Sequence, residues 1–541
     1  VIRSFEAAVV AAFLTGFGTA ASAQAGAGAP LPAVNVRALD AHLRYLADDL
    51  LEGRAPATRG GELAARYIAA QFQTLGLEPA APGASYFQRV ALVGTTPRGT
   101  LAWGARGAER PLAFGDDFVA WAERPDTQLM ADAELVFVGY GIAAPEWQWD
   151  DYKGIATSGK VLLMLVNDPG LRDSTVFRGR ELTYYGRWTY KLEEAARRGA
   201  AAVLLVHTSE SATYGWNVVR GSWTVEQFKL DPPASPSLAL AGWVTGEAAG
   251  AALATRGYAL DSLMRAAARR DFRPLATGLR AAVTVTSRVR RVSSENVVGW
   301  LPGSDSALRA EPVVFTAHYD HKGIGPVVNG DSIYNGAEDN ASGVAAMLVA
   351  AEALTRVTPR PRRPVLFIAT TAEESGLLGS EAYAARPLVP LTRTAAVINL
   401  DVTNTRGATR DIGALGGDRS SLGPLFAAAA RAEGLVPTGD PDPTRGSFFR
   451  SDHFPFVRAG VPALSLEAGL DFVGRPTGWG RQQDELYNEQ RYHQPSDAYS
   501  REFTYDGMAQ QVRVALRVAL AVANGAALPD WLPTAEFRRR P

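Results

Sequence analysis

Cysteine is absent from the 541 residues. That excludes disulfides, thiolate metal sites and a cysteine nucleophile, so any metal must be held by histidine and carboxylate side chains. Net charge is nearly absent too: 55 basic against 56 acidic side chains leave −1. Such a balance supplies no long-range field for phosphate backbones or anionic lipid, and nucleic acid is not an expected partner. Beyond the N-terminus no apolar run approaches the ~20 residues of a bilayer span. No Gly-x-Ser-x-Gly elbow and no His-Glu-x-x-His pair occurs, which removes the common serine-hydrolase and single-zinc protease signatures.

What is present is an ordinary globular composition, 47% hydrophobic and 21% charged, over a length that calls for two folded units. Arg3, an apolar run from Ala7 to Ala21 and the Ala21-Ser22-Ala23 tripeptide read as a signal peptide over 1–23, with the mature chain starting near Gln24. The expected location is therefore exported, in a periplasm or outside the cell, and a cysteine-free chain is compatible with either. Helical spacing of apolar residues predicts helices over 36–51 and 60–75, the second stopped by Gly76. From about Asp132 the texture becomes short β-type runs (134–139, 160–166, 200–206) with one helix-like stretch at 190–198, which predicts a separate β-rich module over 118–285. Residues 286–530 alternate continuous apolar strands (313–317, 365–369, 395–400, 462–466) with helices at 342–354, 422–433 and 505–523, followed by a tail at 531–541. This pattern predicts an α/β fold with a mostly parallel sheet covered on both faces, and a site at the carboxyl ends of its strands.

Polar residues stand at each of those ends: His318 and Asp320, Glu373 and Glu374, Asp401, and Glu467. Any one of them is ordinary for a strand end, where charges crowd. Their shared register is not. In His318-Tyr319-Asp320 a ligand precedes a carboxylate able to hold its other ring nitrogen. The segment from Gly336 to Gly343 runs a turn into a helix and lets backbone approach a metal, although alone it also reads as an acidic helix cap. The adjacent Glu373 and Glu374 repel each other unless a cation compensates, so one can ligate while the other works as a base. Arg360, Arg362, Arg363 and the tail Arg538–Arg540 read as solvated, and His42 as a helix-surface residue.

The ordered set His-x-Asp at 318–320, Gly-Ala-Glu-Asp-Asn-Ala-Ser-Gly at 336–343, Glu373-Glu374, Asn399-Leu400-Asp401 and Tyr492-His493-Gln494-Pro495-Ser496-Asp497 resembles the M28 family of zinc peptidases. The likeness covers about 296–523, the predicted helices at 36–75 match the family's N-terminal segment, and the module at 118–285 resembles an inserted protease-associated (PA) domain. The resemblance implies a zinc-exopeptidase fold formed by 24–117 together with 286–530. It also implies two Zn2+ ions per chain, Asp339 bridging both, His318 and Asp401 completing one site, and Glu374 and His493 the other. Glu373 is then the general base and Asp320 orients His318. The same resemblance implies a cis peptide between Asp339 and Asn340, and a peptide substrate, with an aminopeptidase the favoured activity. A carboxypeptidase, a one-zinc glutaminyl cyclase-like transferase and a non-catalytic receptor on this fold are the alternatives; all five ligand positions and the base are retained, which favours hydrolysis. One departure is visible: the segment from Ser447 to His453 carries Phe448 and Phe449 where the family commonly has a tyrosine. His321 and His453 match no ligand position and read as supporting or structural groups.

Overall fold

The computed structural model describes residues 31–233 and 237–539. The expected signal peptide lies outside the described residues. Twelve strands form one continuous path, from an edge at Val436–Thr438 through Asp411–Leu415, Ala463–Glu467, Ala396–Leu400, Val313–His318 and Val365–Thr370 to Leu275–Leu301, then on through Gln128–Phe137, Val161–Leu165, Ala202–His207 and Leu240–Thr245 to Phe118–Ala122. Within the first half the four strands at 313, 365, 396 and 463 are mutually parallel, and within the second the strands at 128, 161, 202 and 240 are. The expected α/β sheet is present, and the strand faces are buried on both sides, as parallel sheets require.

The two halves are joined by a feature that the sequence did not announce. Leu275–Leu301 is one long strand. Its first part pairs with Gln128–Phe137, its last five residues pair with Val365–Thr370, and Phe87–Gly104 runs antiparallel along most of it. The predicted border at 285/286 therefore falls in mid-strand, and Leu101 and Trp103 of the long partner strand already pack in the second lobe's core. The module is a lobe on a shared sheet, with its own two cores on either face.

Local chemistry sets the helix ends. In Val36–Leu46 the apolar residues Leu39, Leu43 and Leu46 line one face, and Asn35 caps the start by accepting from Ala38 N at 3.2 Å. The helix stops short of the predicted Leu51 because Asp48 caps a new turn, Asp49–Arg54, through Leu50 N at 3.0 Å. Arg59–Thr74 begins at a Thr58 cap and packs Ala64, Ile68 and Phe72 inward. Ser342–Thr355 is buried on nearly every side and forms the centre of the main lobe's core, flanked by Asp506–Asn524. Trp479–Gln490 and His453–Arg458 are additional helices. No helix among the described residues is long and apolar enough to cross a membrane.

Three polar assignments change. Arg363 is buried: it donates to Val522 O at 3.1 Å and pairs with Glu311, closing the loop onto the last helix. Arg539 donates to Thr394 O and Ala395 O, so the tail is pinned rather than solvated; Arg540 lies outside the described residues. His42 is half-buried, with Nδ1 2.8 Å from the Tyr67 hydroxyl. In each case the partner comes from a segment distant in the chain, which a charge count along the chain does not reveal.

Candidate metal centre

The carboxyl ends of three parallel strands converge as expected. His318 is the last residue of its strand, Glu373 and Glu374 follow Thr370 by three and four positions, and Asp401 follows Leu400 directly. The fourth element is the turn Ala337–Ala341, whose Asp339–Asn340 peptide is cis, as the resemblance implies. Gly336 is needed at its start: φ is +58°, and a Cβ there would stand 2.1 Å from Asp339 O. Gly343 is needed at its end, since a Cβ would meet Asn340 Oδ1 at 2.2 Å and Leu400 O at 2.3 Å. Asn340 ties this turn to the neighbouring strand end, donating to Leu400 O (3.0 Å) and accepting from Val402 N (3.2 Å) and Gly343 N (2.9 Å).

The donor atoms fall into two groups that share Asp339. His318 Nε2 lies 3.2 Å from Asp339 Oδ1 and 3.2 Å from Asp401 Oδ1. On the other side His493 Nε2 lies 3.5 Å from Asp339 Oδ2 and 3.1 Å from Glu374 Oε2. Donors sharing one tetrahedral zinc at ~2.0 Å stand ~3.3 Å apart, so both spacings suit a common ion. His318 Nδ1 is 3.1 Å from the Asp320 carbonyl oxygen and donates to it, so Nε2 is the ring nitrogen turned towards the two carboxylates. Glu373 sits apart from both groups, its Oε2 3.9 Å from His318 Nε2.

The residues present also fit a cation by their electrostatics. Asp339, Glu373, Glu374 and Asp401 meet in a largely dry pocket, where like charges cannot all ionise without compensation. Burial, with Glu374 and Asp401 adding to it and His318 opposing, pushes the Glu373 carboxyl well above its ordinary value. Burial acts the same way on Glu374, but His493, Lys322 and His321 overcome it and hold that carboxyl well below its usual range. Burial and Glu374 likewise oppose ionisation of Asp339, yet the His318 and His493 bonds keep it low. Lys322 Nζ reaches Glu374 Oε2 at 2.8 Å. His321 Nδ1 and Glu374 Oε1 are only 2.6 Å apart but are not aligned for a hydrogen bond, and His321 Nε2 has no partner among the described residues. Close donor atoms without alignment are what a shared cation explains. His321, Asp339 and Glu374 thus gather tightly enough to hold an ion, as do His318, Asp339 and Asp401, which places His321 nearer to the metal groups than the sequence suggested.

The role expected of Asp320 takes a different form. Its carboxylate is 4.0 Å from His318 Nδ1 and is occupied by the backbone N–H groups of Glu373 (3.1 Å) and Glu374 (3.4 Å). The carbonyl orients His318, while the side chain, 4.0 Å from the ring, fixes the Glu373-Glu374 pair. Burial pushes that carboxyl up to about 7. His453 is fully buried beside Phe448, and burial pushes it down to about 4. Phe448 and Phe449 are core residues, so this segment offers no phenol.

Other supports had no role assigned from the sequence. Asp497 accepts from Glu338 N and Asp339 N, both at 3.0 Å, and so holds the backbone of the shared carboxylate. Ser451 donates to Asp401 Oδ2 at 2.5 Å and accepts from Asn399 Nδ2 at 2.8 Å. Beneath the site, fully buried Arg54 donates to the carbonyls of Tyr319 (2.7 Å), Gly336 (2.9 Å), Asn335 (2.5 Å) and Leu46. Tyr492 stacks on the His493 ring at 3.8 Å. Positive φ values at Ala372, Val402 and His493 mark the backbone around the donors, and for the β-branched Val402 that conformation is costly.

Comparison with known proteins bears on the family of the chain. Residues 296–519 match the model of "Peptidase family M28". The mouse aminopeptidase NAALADL1 is 34% identical over 137 residues, 24% of this chain and 17% of that protein. The Bacillus subtilis aminopeptidase YwaD is 30% identical over 210 residues, 38% of this chain and 40% of that one. The chain therefore spans well under half the length of these relatives. An aminopeptidase from Aneurinibacillus sp. strain AM-1 superimposes with a TM-score of 0.48 at 19% identity, covering 94% of this chain and 98% of its own. With the motif order, the strand-end placement and the matched residues in agreement, the chain carries a peptidase family M28 domain over residues 296–519.

Proposed function

We propose that this chain is a two-zinc exopeptidase, most simply an aminopeptidase that releases N-terminal residues. The carrying observation is Asp339, which turns Oδ1 to His318 and Oδ2 to His493. A carboxylate so divided suits a bridge between two ions, and two-metal peptidases are one class built on such a bridge. In this reading His318, Asp339 and Asp401 would hold one zinc, and Glu374 and His493, with Asp339 shared, would hold the second. The names of partial relatives, aminopeptidases among them, support the peptide substrate.

Bound zinc would polarise the scissile carbonyl and bring the pKa of water towards neutrality. The protein's own part begins with Glu373, the carboxylate that stands beside both donor groups without joining either, its Oε2 3.9 Å from His318 Nε2. It removes the proton of the attacking water on a carboxylate oxygen, then delivers it to the nitrogen of the leaving amine. Asp320 holds the Glu373 backbone in place while this happens. Asp497 and Asn340 fix the turn that carries Asp339. The lobe read as PA-like over residues 118–285 lines the cavity with Trp188, Tyr214 and Trp223.

The test combines metal content with a peptide panel. Two zincs per chain at saturation, cleavage of peptides with a free N-terminus, and loss of that cleavage on N-acetylation or chelation are the expected results. Release of C-terminal residues from N-blocked peptides would make it a carboxypeptidase, and one zinc at saturation would remove the bridging role of Asp339.

A further inference from the structure

The cavity over the metal centre has a volume of about 460 Å³ and extends from Glu373, Glu374 and His493 to a wall formed by Arg187, Tyr214, Phe449 and Arg450. That volume is within the range of small-molecule sites and suits a short peptide. Its cations are of two kinds. Lys229 pairs with Glu123 at 3.1 Å, Arg458 with Glu193 at 3.3 Å and Glu381 at 3.2 Å, and Lys322 with Glu374 at 2.8 Å. Arg187 and Arg450 have no such partner: among the described residues neither guanidinium meets a carboxylate or donates a hydrogen bond, and Arg187 Nε is buried and unsatisfied. Both also line the small pocket behind the wall, between Tyr214 and Leu182.

Two neighbouring guanidiniums without a counter-charge repel each other, and a partly dry wall magnifies the cost. Burial, reinforced by the charge of Arg450, pushes Arg187 down to about 10. Elsewhere in this cavity the fold supplies an acid for each cation. Where it supplies none, the missing anion belongs to something that enters, and guanidinium forks match a carboxylate in particular. The wall is set by the inserted lobe on one side and by the Ser447–Phe449 turn on the other, so the pair exists only where the two lobes meet.

We propose that Arg187 and Arg450 form a subsite for a carboxylate of the peptide substrate, which makes short free-acid peptides or acidic peptides the preferred class. This rests on the peptidase reading above. The α-carboxylate of a short peptide and the side chain of an Asp or Glu residue offer the same chemistry, and the test separates them.

Leu-Gly-Gly as the free acid, its C-terminal amide, and the amide of Leu-Gly-Glu are titrated by calorimetry into the zinc-loaded Glu373→Gln protein, and their kcat/KM is measured on the unsubstituted enzyme. The free acid should exceed its amide about tenfold or more in affinity and in kcat/KM, the loss expected when a charge-assisted hydrogen bond is removed. Arg450→Gln should collapse that ratio. Arg450 is exposed, so its loss does not endanger folding, whereas Arg187→Gln is read only if its thermal unfolding matches the parent. Recovery with the Leu-Gly-Glu amide assigns the subsite to a side-chain carboxylate, and no recovery assigns it to the chain terminus. Equal binding of acid and amide, or a ratio that survives Arg450→Gln, overturns the subsite. Absence of any turnover with the binding preference intact would instead refute the peptidase reading and leave the subsite standing.

Discussion

Each lobe buries a group of charges, and the two groups are finished differently. In the inserted lobe Asp168 accepts from Gly170 N (2.9 Å), Thr183 N (3.1 Å) and the Thr183 hydroxyl (2.6 Å). Asp151 accepts from Ile142 N (3.0 Å) and Trp149 Nε1 (2.8 Å), and Lys191 donates to Tyr185 O (2.6 Å). None of these side chains has an unsatisfied atom. At the strand ends of the main lobe, by contrast, Glu374 Oε1 and both ring nitrogens of His321 lack hydrogen bonds, although they are surrounded by polar atoms. Buried charge that is complete holds the fold together; buried charge left incomplete is arranged for something that the chain does not itself contain.

Substitutions should separate the two groups by what they damage. Glu373→Gln is expected to lower kcat by about 10²–10⁴-fold, the usual contribution of a general base, while zinc content and unfolding midpoint stay at parental values. Normal turnover in that variant would show that Glu373 is merely one more buried carboxyl. Asp168→Ala strips three donors of their acceptor and should cost about 3 kcal/mol of stability, read as a lower urea midpoint. Zinc bound per folded chain should not change. If Asp168→Ala lost zinc as well, the two clusters would not be independent and the comparison would fail.

The parts of the site that could be read in the sequence are those set by strand ends. His318, Glu373, Glu374 and Asp401 follow continuous apolar runs, and a parallel sheet carries such positions to one edge whatever surrounds them. Asp339 and His493 sit on a turn and a loop, where no periodicity operates, and only the motif order pointed to them. Asp497 closed the Tyr492–Asp497 motif without a role assigned to it, whereas Ser451 and Arg54 act through a hydroxyl and through main-chain carbonyls of distant segments, and such bonds leave no pattern in the chain. The long strand pair Phe87–Gly104 and Leu275–Leu301 was missed for a different reason. Gly94, Pro97 and Gly99 in one strand and Arg288, Arg290 and Arg291 in the other give no strand-like run of β-branched residues, and the three arginines lie on the exposed part of the ribbon.

A third test uses acid. Burial lowers His453 from its ordinary 6.5 to about 4, so the unfolded chain binds a proton between those values that the folded chain refuses. The stability this neutral imidazole contributes is complete above pH 6.5 and is lost as pH falls towards 4. Between pH 7 and 5 the loss from this group is roughly 2 kcal/mol, and His453→Gln should flatten the profile in urea unfolding. A profile of unchanged slope would mean that another group sets the acid limit, and the completed cluster around Asp151 would be the next to examine.

The smallest effect bears most directly on the contrast between finished and unfinished charge. Ser451 is not a donor in either metal group; its hydroxyl reaches Asp401 Oδ2 at 2.5 Å, and Asn399 holds it there. If Asp401 is a ligand, this hydrogen bond fixes which oxygen faces His318, and Ser451→Ala should weaken zinc binding about tenfold with stability of the zinc-saturated protein preserved. If the cluster were structural, like that of Asp168, the same substitution would lower the unfolding midpoint with or without zinc and leave competition against a chelator unchanged. The two readings thus move different observables in opposite ways, and a single alanine distinguishes a site built to be occupied from one built to be closed.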